Sequence, residues 1–553
     1  MLQRAEHDDP PRRAAPSRVV ALRTGLLRRA PVLAAASVAV AAFVLVPLVY
    51  LVLRAFERGF GLAVDHVVSE RTAELLWRTG LLAGTVTVAC LVIGVACAWL
   101  IARSDLPFRR TMGVLFALPL ATPTLVAAPA WISIWPEIAG FTGVFLVLTL
   151  GTYPYVMLPV MAALRSGDLA TEEVARSLGK GAVRTFFLVT VRGVRPAVLA
   201  GGLLVTLYTL ADFAAPSLMR YETLTINIFV SYRSGFDRTP AAIFACVLVL
   251  VAAVIMIAER RARGRAARFG QVRVGTGVMG RPPVVPLGRA RWPAFLASVA
   301  LLVAAIGVPV ATVAGWFVAG NSRGFHPDRL VDATVNTLAF SAMGALAAVV
   351  LAFPVALLAA RHDGRFARLL ESISYIGYAL PGITIGLAFV FVGIRLVPGW
   401  YQETPLLILA YGVLFLPLAI AGVRAGVAAA PPRLEEVSRS LGKGSAVTHA
   451  RVTLPLATPG IAAGVALVFL TAAKELPATL LLRPTGDDTL ATQMWALTNR
   501  MLYGAAAPYA LALILIAMIP ALVLGFAVIE RTNKERRTAA RLATLIGTNP
   551  RTR

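Results

Sequence analysis

Long apolar runs, separated by short polar segments, dominate the hydropathy pattern of the chain. About twelve of them reach the ~18 residues that a helix needs to cross a bilayer. They lie near residues 31–53, 79–102, 111–135, 139–164, 194–218, 239–258, 292–319, 335–360, 370–396, 404–428, 457–482 and 508–529. Because water is absent inside a bilayer, the backbone must satisfy its own polar groups, so each run is predicted to be helical. This applies even to the third and ninth runs, which Pro and Gly interrupt. The pattern predicts an all-α polytopic membrane protein with about 12 transmembrane helices.

Composition supports this class. The chain of 553 residues is 58% hydrophobic and 15% charged, with a mean hydropathy of +0.76, whereas soluble proteins are about half apolar and a quarter charged. The first run follows a basic segment, as in a signal peptide. It is longer than the ~7–15 residues of a signal core, and no convincing cleavage site follows it. We therefore expect a retained first membrane helix.

Basic residues are distributed unevenly between the connecting segments. Residues 1–30 carry seven Arg against three acids, residues 259–291 carry nine Arg against one acid, and the tail from Glu530 carries seven Lys plus Arg against two acids. Segments 54–78 and 483–500 are balanced. The positive-inside rule therefore predicts that the first three segments, and so both termini, are cytoplasmic. This sorting accounts for the net charge of +25. No basic stretch alternates with aromatics, so nucleic acid is not a predicted partner.

The residues usually found in catalytic or metal sites are sparse. Cys90, Cys97 and Cys246 all lie in predicted spans and lack the spacing of a metal site or disulfide framework, so buried packing is expected. There are five His but no HExxH pattern, and no GxxxxGK[ST] sequence. We expect no catalytic site, no ATP site, no cofactor and no tight metal site on this chain.

An internal repeat organises the chain. The sequence "EEVARSLGKG" at 172–181 recurs as "EEVSRSLGKG" at 435–444, a shift of 263 residues. With a small change of register, "ARSD" at 102–105 matches "ARHD" at 360–363. Equivalent pairs under these shifts are Pro196 and Pro459, Asp212 and Glu475, Arg220 and Arg483, and Leu118–Pro119 and Leu380–Pro381.

Each half contains about six spans, an even number, so the halves share one orientation. They are predicted to be two parallel six-helix repeats related by an axis along the membrane normal. The predicted segments are a basic tail at 1–29, a first half at 30–258, a basic linker at 259–291, a second half at 292–529 and a basic tail at 530–553.

The repeated segment itself has the features of a short capped helix. Pro431 and Pro432 suit a helix start, and acids in the early turns suit its dipole. Gly179 and Gly442 suit the left-handed position that ends a helix. The segment is predicted to be a helix–turn–helix knob on the cytoplasmic side. For one copy an ordinary interfacial loop is the alternative, but two copies at matched positions argue against it.

These segments resemble the cytoplasmic EAA loop of ABC importer permeases, whose pattern is Glu-Ala-Ala, three residues, Gly, nine residues, an aliphatic residue, any residue, Leu and Pro. The second copy matches it at Glu436, Val437, Ser438, Gly442, Val452, Leu454 and Pro455. The first copy matches at Glu173, Val174, Ala175, Gly179, Val189 and Val191, with Arg192 in place of Pro.

The resemblance implies the type I ABC importer permease fold in the bacterial inner membrane. Each loop would dock into a groove on a separate cytoplasmic ATPase subunit, so two copies would bind, and ATP would be held by those partners. An external substrate-binding protein, periplasmic or lipid-anchored, would deliver the substrate. The sequence does not decide how the chain leaves the first loop, because Arg192 stands where the pattern has Pro.

The whole chain resembles the fused double permeases of ferric-iron importers, most clearly at 472–495 and its partner 210–229. Ionisable residues inside spans usually face a bundle interior or aqueous path. Asp212 and Glu475, with Arg220 and Arg483, are therefore candidates for the translocation pathway. A carboxylate pair suits transient contact with a hard trivalent cation. The alternative is that each acid satisfies a neighbouring helix through Arg220, Arg483 or Lys474.

Two other functions remain open. A thiamine or phosphonate permease can also be a fused double. A secondary transporter with internal repeats would use an ion gradient, but the paired knobs argue against it, as does the absence of mid-span Gly/Pro breaks at equivalent places.

Overall fold

The computed structural model describes residues 31–166, 175, 177–234, 237–270, 284–319, 326–362, 364–375, 377 and 380–518. Helices dominate these residues. Their only β-pairing is an isolated bridge between Ser104 and Val285, where the end of the linker meets the first half. The all-α prediction is confirmed.

The described helices of the first half are, in chain order, α1 Pro31–Phe56, α2 Phe60–Val68, α3 Glu70–Arg103, α4 Arg109–Leu115, α5 Thr124–Ile134, α6 Phe141–Thr152, α7 Pro154–Ser166, α8 Ala182–Thr185, α9 Val191–Ala211, α10 Ala214–Leu218, α11 Leu224–Ser234 and α12 Thr239–Gly270.

The described helices of the second half are α13 Arg291–Leu302, α14 Val308–Ala319, α15 Pro327–Arg361, α16 Arg365–Ser374, α17 Gly382–Leu396, α18 Thr404–Leu414, α19 Leu416–Ala429, α20 Pro432–Ser440, α21 Ser445–Thr448, α22 Leu454–Ala473, α23 Pro477–Leu482, α24 Leu490–Asn499 and α25 Tyr503–Met518.

All twelve predicted runs have a helical counterpart, although not all are straight spans. In the described part of the chain, eight helices are long and apolar enough to cross a membrane, and two bent pairs raise the number to ten. The pairs are 109–121 with 124–134, bent by 90°, and 404–414 with 416–429, bent by 60°. The remaining two runs correspond to the shorter apolar helices α17 and α25.

The ninth run starts later than predicted. Residues 365–374 form the separate amphipathic helix α16, and the apolar helix α17 begins only at Gly382. Pro381 precedes it with an extended backbone, φ −59° and ψ 144°. Because proline lacks an N–H and its ring blocks the preceding turn, a helix can start after it but not continue through it here. The predicted start near residue 370 is therefore wrong.

The two halves interlock through their first spans. Helix α1 packs against α15 and α17 of the second half. Conversely, α14 of the second half packs against α5 of the first half. Helices α5 and α17 hold the same place in their halves, so the exchange is two-fold symmetric. Most buried apolar side chains form one continuous core that includes both halves.

The fourth and fifth spans of the second half are in close backbone contact. Gly422 and Gly426 on α19 face Gly460 and Gly464 on α22. A Cβ added to Gly460 would lie 2.4 Å from Cα of Gly426, and one added to Gly422 would lie 2.5 Å from Cα of Gly464. Such small-residue pairs let membrane helices approach closely, where van der Waals contact replaces the hydrophobic effect as the source of association.

Candidate coupling loops and translocation site

Loop B, residues 435–455, has the geometry predicted for the knob. Helix α20 starts after Pro431 and ends before Gly442, which has φ +75°. The Gly442 N–H donates to the Arg439 carbonyl at 3.0 Å, and the Lys443 N–H donates to the Ser438 carbonyl at 3.2 Å. These two bonds form a Schellman cap, in which a residue of left-handed conformation closes the helix.

Loop A, residues 172–192, ends its first helix in the same way. Gly179 has φ +74°, and the Lys180 N–H donates to the Ala175 carbonyl at 3.2 Å. Ala175 is buried. Glu173, predicted as the acidic residue of this loop, lies outside the described residues. The left-handed glycine predicted for both loops is confirmed in both.

Each loop then continues into the fifth span by the same path. A four-residue helix, α8 or α21, is followed by a π-helical turn at 186–190 or 449–453, and then by α9 or α22. Pro455 is exposed at the start of α22, whereas Arg192 holds the same place in α9. The exit of the first loop is therefore unchanged by the missing proline.

A buried carboxylate anchors loop B to the membrane helices. Glu435 accepts hydrogen bonds at Oε1 from Nε and Nη2 of Arg361, at 3.0 and 2.7 Å. The same oxygen accepts from the Thr453 hydroxyl at 2.9 Å, and Oε2 accepts from Arg439 at 3.2 Å. Arg361 ends α15 and also donates to the Ala430 carbonyl at 2.9 Å. One carboxylate thus joins the knob, the second span and the start of the fifth.

Sequence reasoning selected Glu436 as the acid of the loop pattern and gave its neighbour Glu435 only a favourable place near the start of the helix dipole. The structure places Glu436 on the exposed face of α20 and Glu435 on the buried face. A signal was available: Arg103 and Arg361 hold matched positions at the ends of two apolar spans. A repeated arginine there predicts a repeated acidic partner nearby.

The outer faces of both loops expose apolar side chains. Leu178 and Leu441, equivalent residues beside the cap glycines, are each 72% exposed, and Val437 is also exposed. Isolated exposed apolar residues are common, but the same leucine exposed at the tip of both loops marks a surface that a partner could cover.

The two acids that the sequence predicts for the pathway, Asp212 and Glu475, lie at breaks after the fifth spans, not within them. Helix α9 ends at Ala211 and α22 ends at Ala473. Asp212 accepts from the Ala215 N–H at 2.9 Å, and Glu475 accepts from the Ala478 N–H at 2.8 Å. Each carboxylate therefore caps the short helix that follows it, α10 or α23, by the same contact three residues ahead.

The basic residues predicted to pair with these acids make other contacts in the part of the chain that the structure describes. Arg483 forms an ion pair with Asp488 instead, and the Lys474 ammonium donates to the Leu120 carbonyl at 3.0 Å. Arg220 is exposed and has φ +57°. The second carboxylate oxygen of Asp212 instead accepts a hydrogen bond from the Thr124 hydroxyl at 2.7 Å. None of these three basic side chains forms an ion pair with either acid in the described part of the chain. That each acid satisfies a neighbouring helix stays the alternative, and the Thr124 bond to Asp212 is of that kind.

The start of the third span approaches the acid in both halves. Thr124 follows Pro123, and Gly382 follows Pro381; both prolines are extended and directly precede a helix. A Cβ on Gly382 would lie 2.5 Å from Oε1 of Glu475. The structural equivalent of Pro381 is therefore Pro123. Both prolines interrupt a predicted run, each at the same place in its half, so the expectation that equivalent mid-span breaks are absent is wrong. The sequence match of Pro381 to Pro119 is four residues out of register.

A cavity of about 440 Å³ lies between the halves, at the end of the bundle away from the loops. Helices α11, α23 and α24 and the segment around Tyr401 form its walls. Three guanidinium groups line it, from Arg233, Arg483 and Arg500. None of its described lining residues is acidic.

An aromatic cluster connects the wall of this cavity to the residue next to Asp212. Phe229 and Trp495 line the cavity, and Phe213 directly follows Asp212. The ring centroids are 5.1 Å apart for Phe213 and Phe229, 5.8 Å for Phe229 and Trp495, and 6.2 Å for Phe213 and Trp495. Rings from both halves thus meet at the wall of the cavity, next to Asp212.

The described residues contain no group of three or more His, Cys, Asp or Glu side chains placed to hold a metal ion. The two acids therefore do not form part of a larger ligand set there.

The family described as "binding-protein-dependent transport system inner membrane component" matches the chain twice, at residues 91–266 and 352–535. The chain belongs to this family. Each match covers most of one half of the permease and includes one of its loops, so the prediction of two fused permease repeats is confirmed. The protein is accordingly an integral inner-membrane component of a transport system.

Relatives of this permease transport different substrates. The Fe(3+)-transport system permease protein FbpB 2 of Haemophilus influenzae is 34% identical over 484 residues, which cover 86% of this chain and 94% of that protein. The sulfate transport system permease protein CysW of Escherichia coli is 24% identical over 238 residues, 39% of this chain and 82% of that protein. The molybdenum transport system permease protein ModB of Mycobacterium bovis is 28% identical over 234 residues, 39% and 88% respectively.

Proposed function

We propose that this permease is the membrane subunit of an ATP-driven importer of ferric iron, supplied by an external substrate-binding protein. The observation that carries the proposal is the similarity to the Fe(3+)-transport permease, which includes both halves and nearly all of that protein. The sulfate and molybdenum permeases match only 39% of this chain each.

Loops A and B are proposed to dock onto two copies of a cytoplasmic ATPase subunit, which bind ATP. Each loop would insert its exposed leucine, Leu178 or Leu441, into a groove on one ATPase, while Glu173 and Glu436 meet the rim. Two observations support this role. The apolar tips are repeated, and Glu435 ties loop B firmly to α15 and α22. Because loop B is bonded to α15 and α22, a movement of the loop is passed to those helices, whereas a loosely attached loop would move without them.

In this arrangement the loops, the linker and both termini face the cytoplasm, and the arginine-lined cavity faces outward. Helix α22 has 20 residues, so it carries the chain about 30 Å from loop B to Glu475. We propose the aromatic cluster of Phe213, Phe229 and Trp495 as the outer gate, supported by ring contacts that join both halves. Closure of the ATPases would move the fifth spans and separate these rings.

Asp212 and Glu475 are proposed to contact the iron transiently once it has passed the gate. Carboxylates are hard oxygen ligands, which suit a trivalent cation. Two such groups at the ends of matched spans provide negative charge with a low-dielectric wall behind it, which strengthens their field. Their capping of α10 and α23 fixes the position of that charge.

Iron uptake by the assembled transporter tests this proposal. The double variant Asp212→Asn, Glu475→Gln keeps an oxygen for each capping bond but removes both charges, since the amide carbonyl still accepts from the backbone N–H. We expect ATP-dependent uptake of radioactive ferric iron to fall about tenfold or more, with the complex still assembled. The matched control is Asp487→Asn with Glu403→Gln, two partly or fully exposed acids in the connecting segments of the second half.

Other outcomes have distinct meanings. Unchanged uptake in the double variant would show that the acids only cap helices. Loss of assembly would also assign them a structural role. Absence of iron uptake by the wild-type transporter, with thiamine, phosphonate, sulfate or molybdate uptake present, would overturn the proposed substrate.

A further inference from the structure

The cavity at the outer end of the bundle differs in charge from what a bare cation requires. Arg233, Arg483 and Arg500 converge on one volume of about 440 Å³. Arg483 pairs with Asp488, whereas the ion pairs of the described residues include neither Arg233 nor Arg500. The Arg233 guanidinium lies over the Phe229 ring, 5.6 Å from its centroid, which leaves its charge without an acidic partner. Two uncompensated guanidinium groups therefore face the place where the substrate arrives, and they would repel a free trivalent cation.

The remaining walls suit an oxygen-rich anion. Tyr232 and Tyr401 come from different halves, and their hydroxyls lie 3.3 Å apart at the cavity. Gln402 and Asn499 add amide donors. Guanidinium groups bind carboxylates and phosphates through paired hydrogen bonds, and phenol and amide groups can donate to the same oxygens.

We propose that this cavity is an anion-binding site that takes the phosphate or carboxylate oxygens of an anion accompanying the iron. Ferric iron is a hard cation that prefers oxygen ligands, so an anion can reach the cavity bound to the metal or alone. The arginines would hold the anion on the outer side of the aromatic gate. The carboxylates of Asp212 and Glu475 would receive the metal beyond the gate. That the anion accompanies iron rests on the proposed function, whereas the anion-binding site itself does not.

Direct binding to the purified full-length permease tests the site. Radioactive inorganic phosphate and citrate are each titrated with and without ferric iron. We expect binding to weaken about tenfold or more in the double variant Arg233→Gln, Arg500→Gln, and to weaken with rising salt, since the contacts are partly exposed. The Arg233→Lys, Arg500→Lys variant should bind with intermediate affinity, because it keeps the charge but loses the planar fork.

A matched control removes two arginines elsewhere at the same end of the bundle. Arg58 pairs with Asp237 and Arg395 pairs with Glu57, and neither lines the cavity. The Arg58→Gln, Arg395→Gln variant lowers the net charge equally and should bind both anions normally. All four arginines are exposed, so these variants should fold, which the elution profile of the purified protein checks.

The possible results distinguish a free anion from a ferric complex, and a failure of the anion site from a failure of the proposed substrate. Binding of phosphate or citrate alone supports the site with a free anion, and binding only with iron present supports it with a ferric complex. No binding by the wild type, or equal loss in the control, would overturn the inference. So would normal anion binding in Arg233→Gln, Arg500→Gln with weaker capture of the external binding protein, because the cavity would then be a protein contact. Anion binding without iron uptake would contradict the proposed substrate and leave the site standing.

Discussion

Glu435 carries a charge that this protein can keep buried only because Arg361 neutralises it. The carboxylate is nearly inaccessible and receives hydrogen bonds from Arg361, Arg439 and Thr453. Removing one partner of a buried pair is expensive because the other charge is left uncompensated, by about 3–5 kcal/mol when burial is complete. Glu436, one residue on, is exposed and has no such role.

This difference gives a prediction for adjacent residues. Glu435→Gln should lower the free energy of unfolding of the purified permease by up to about 3 kcal/mol, and hence its melting temperature. It should also reduce ATP-dependent transport. Glu436→Gln should leave stability unchanged and affect only association with the ATPase. Differential scanning calorimetry, together with an ATPase-binding assay, distinguishes them. Equal stability of the two variants would contradict the anchoring role.

The cap glycines act through backbone conformation alone. A Cβ at Gly179 or Gly442 would meet nothing within 4 Å, so a larger residue there is strained only by its positive φ. The left-handed conformation costs about 1–2 kcal/mol for an ordinary residue. Gly444 is equally open, but its φ is −66°.

The double variant Gly179→Val, Gly442→Val should therefore uncouple ATP hydrolysis from transport while membrane insertion stays normal. Gly444→Val is the control and should transport at nearly the wild-type rate. The ratio of substrate transported to ATP hydrolysed measures the effect. Wild-type coupling in the double variant would refute the assignment of these loops.

At the scale of the helices, loop B sits between two spans that are packed backbone to backbone. Helix α19 leads into the knob and α22 leads out of it, and glycines 422, 426, 460 and 464 hold them together. Movement of the knob should thus displace both helices as one body. The far end of α22 is the break at Glu475, so the same helix joins the proposed ATPase-docking surface to the proposed pathway.

Gly460→Val should separate these helices, because its Cβ would lie 2.4 Å from Cα of Gly426. Overpacking of this kind costs about 1–3 kcal/mol. We expect lower thermal stability and a lower transport rate. Gly84→Val is the control, since Gly84 lies in the long helix α3 with open space around it. A stability loss as large in the control as in Gly460→Val would show that the helix contact is unimportant.

Helix existence could be predicted from the sequence, whereas several boundaries could not. Apolar runs locate the spans because a bilayer requires helices of a set length. The breaks at Asp212 and Glu475 were not predicted, since the apolar runs continue through α10 and α23. The π-helical turns at 186–190 and 449–453 have no hydropathy signal. The adjacent acids Glu435 and Glu436 look alike in sequence, and only the orientation of α20 against Arg361 separates them.

At the scale of the whole molecule, the two halves are joined by more than their linker. Helix α1 packs on α17 and α14 packs on α5, so neither half has a complete core without the other. Sequence periodicity reports which residues are buried but not which half buries them. The exchange of first spans therefore had to come from the structure, while the repeat itself was readable from the 263-residue shift.

The predicted orientation rests on the basic segments and can be tested directly. Reporter fusions at Arg265 and at the C-terminus should give cytoplasmic signals, because arginine-rich segments stay inside. A fusion after Gly486, in the balanced segment beyond α23, should report the outer side. A periplasmic signal at Arg265 or at the C-terminus would contradict two parallel halves.

The measurement that tests the account most directly is iron uptake into proteoliposomes that hold the permease with its ATPase and binding protein. ATP should drive accumulation of ferric iron, and collapse of proton and sodium gradients should not stop it. Accumulation driven by an imposed ion gradient without ATP would contradict the account and favour a secondary transporter. So would ATP-driven uptake of thiamine, phosphonate, sulfate or molybdate in the absence of any iron uptake.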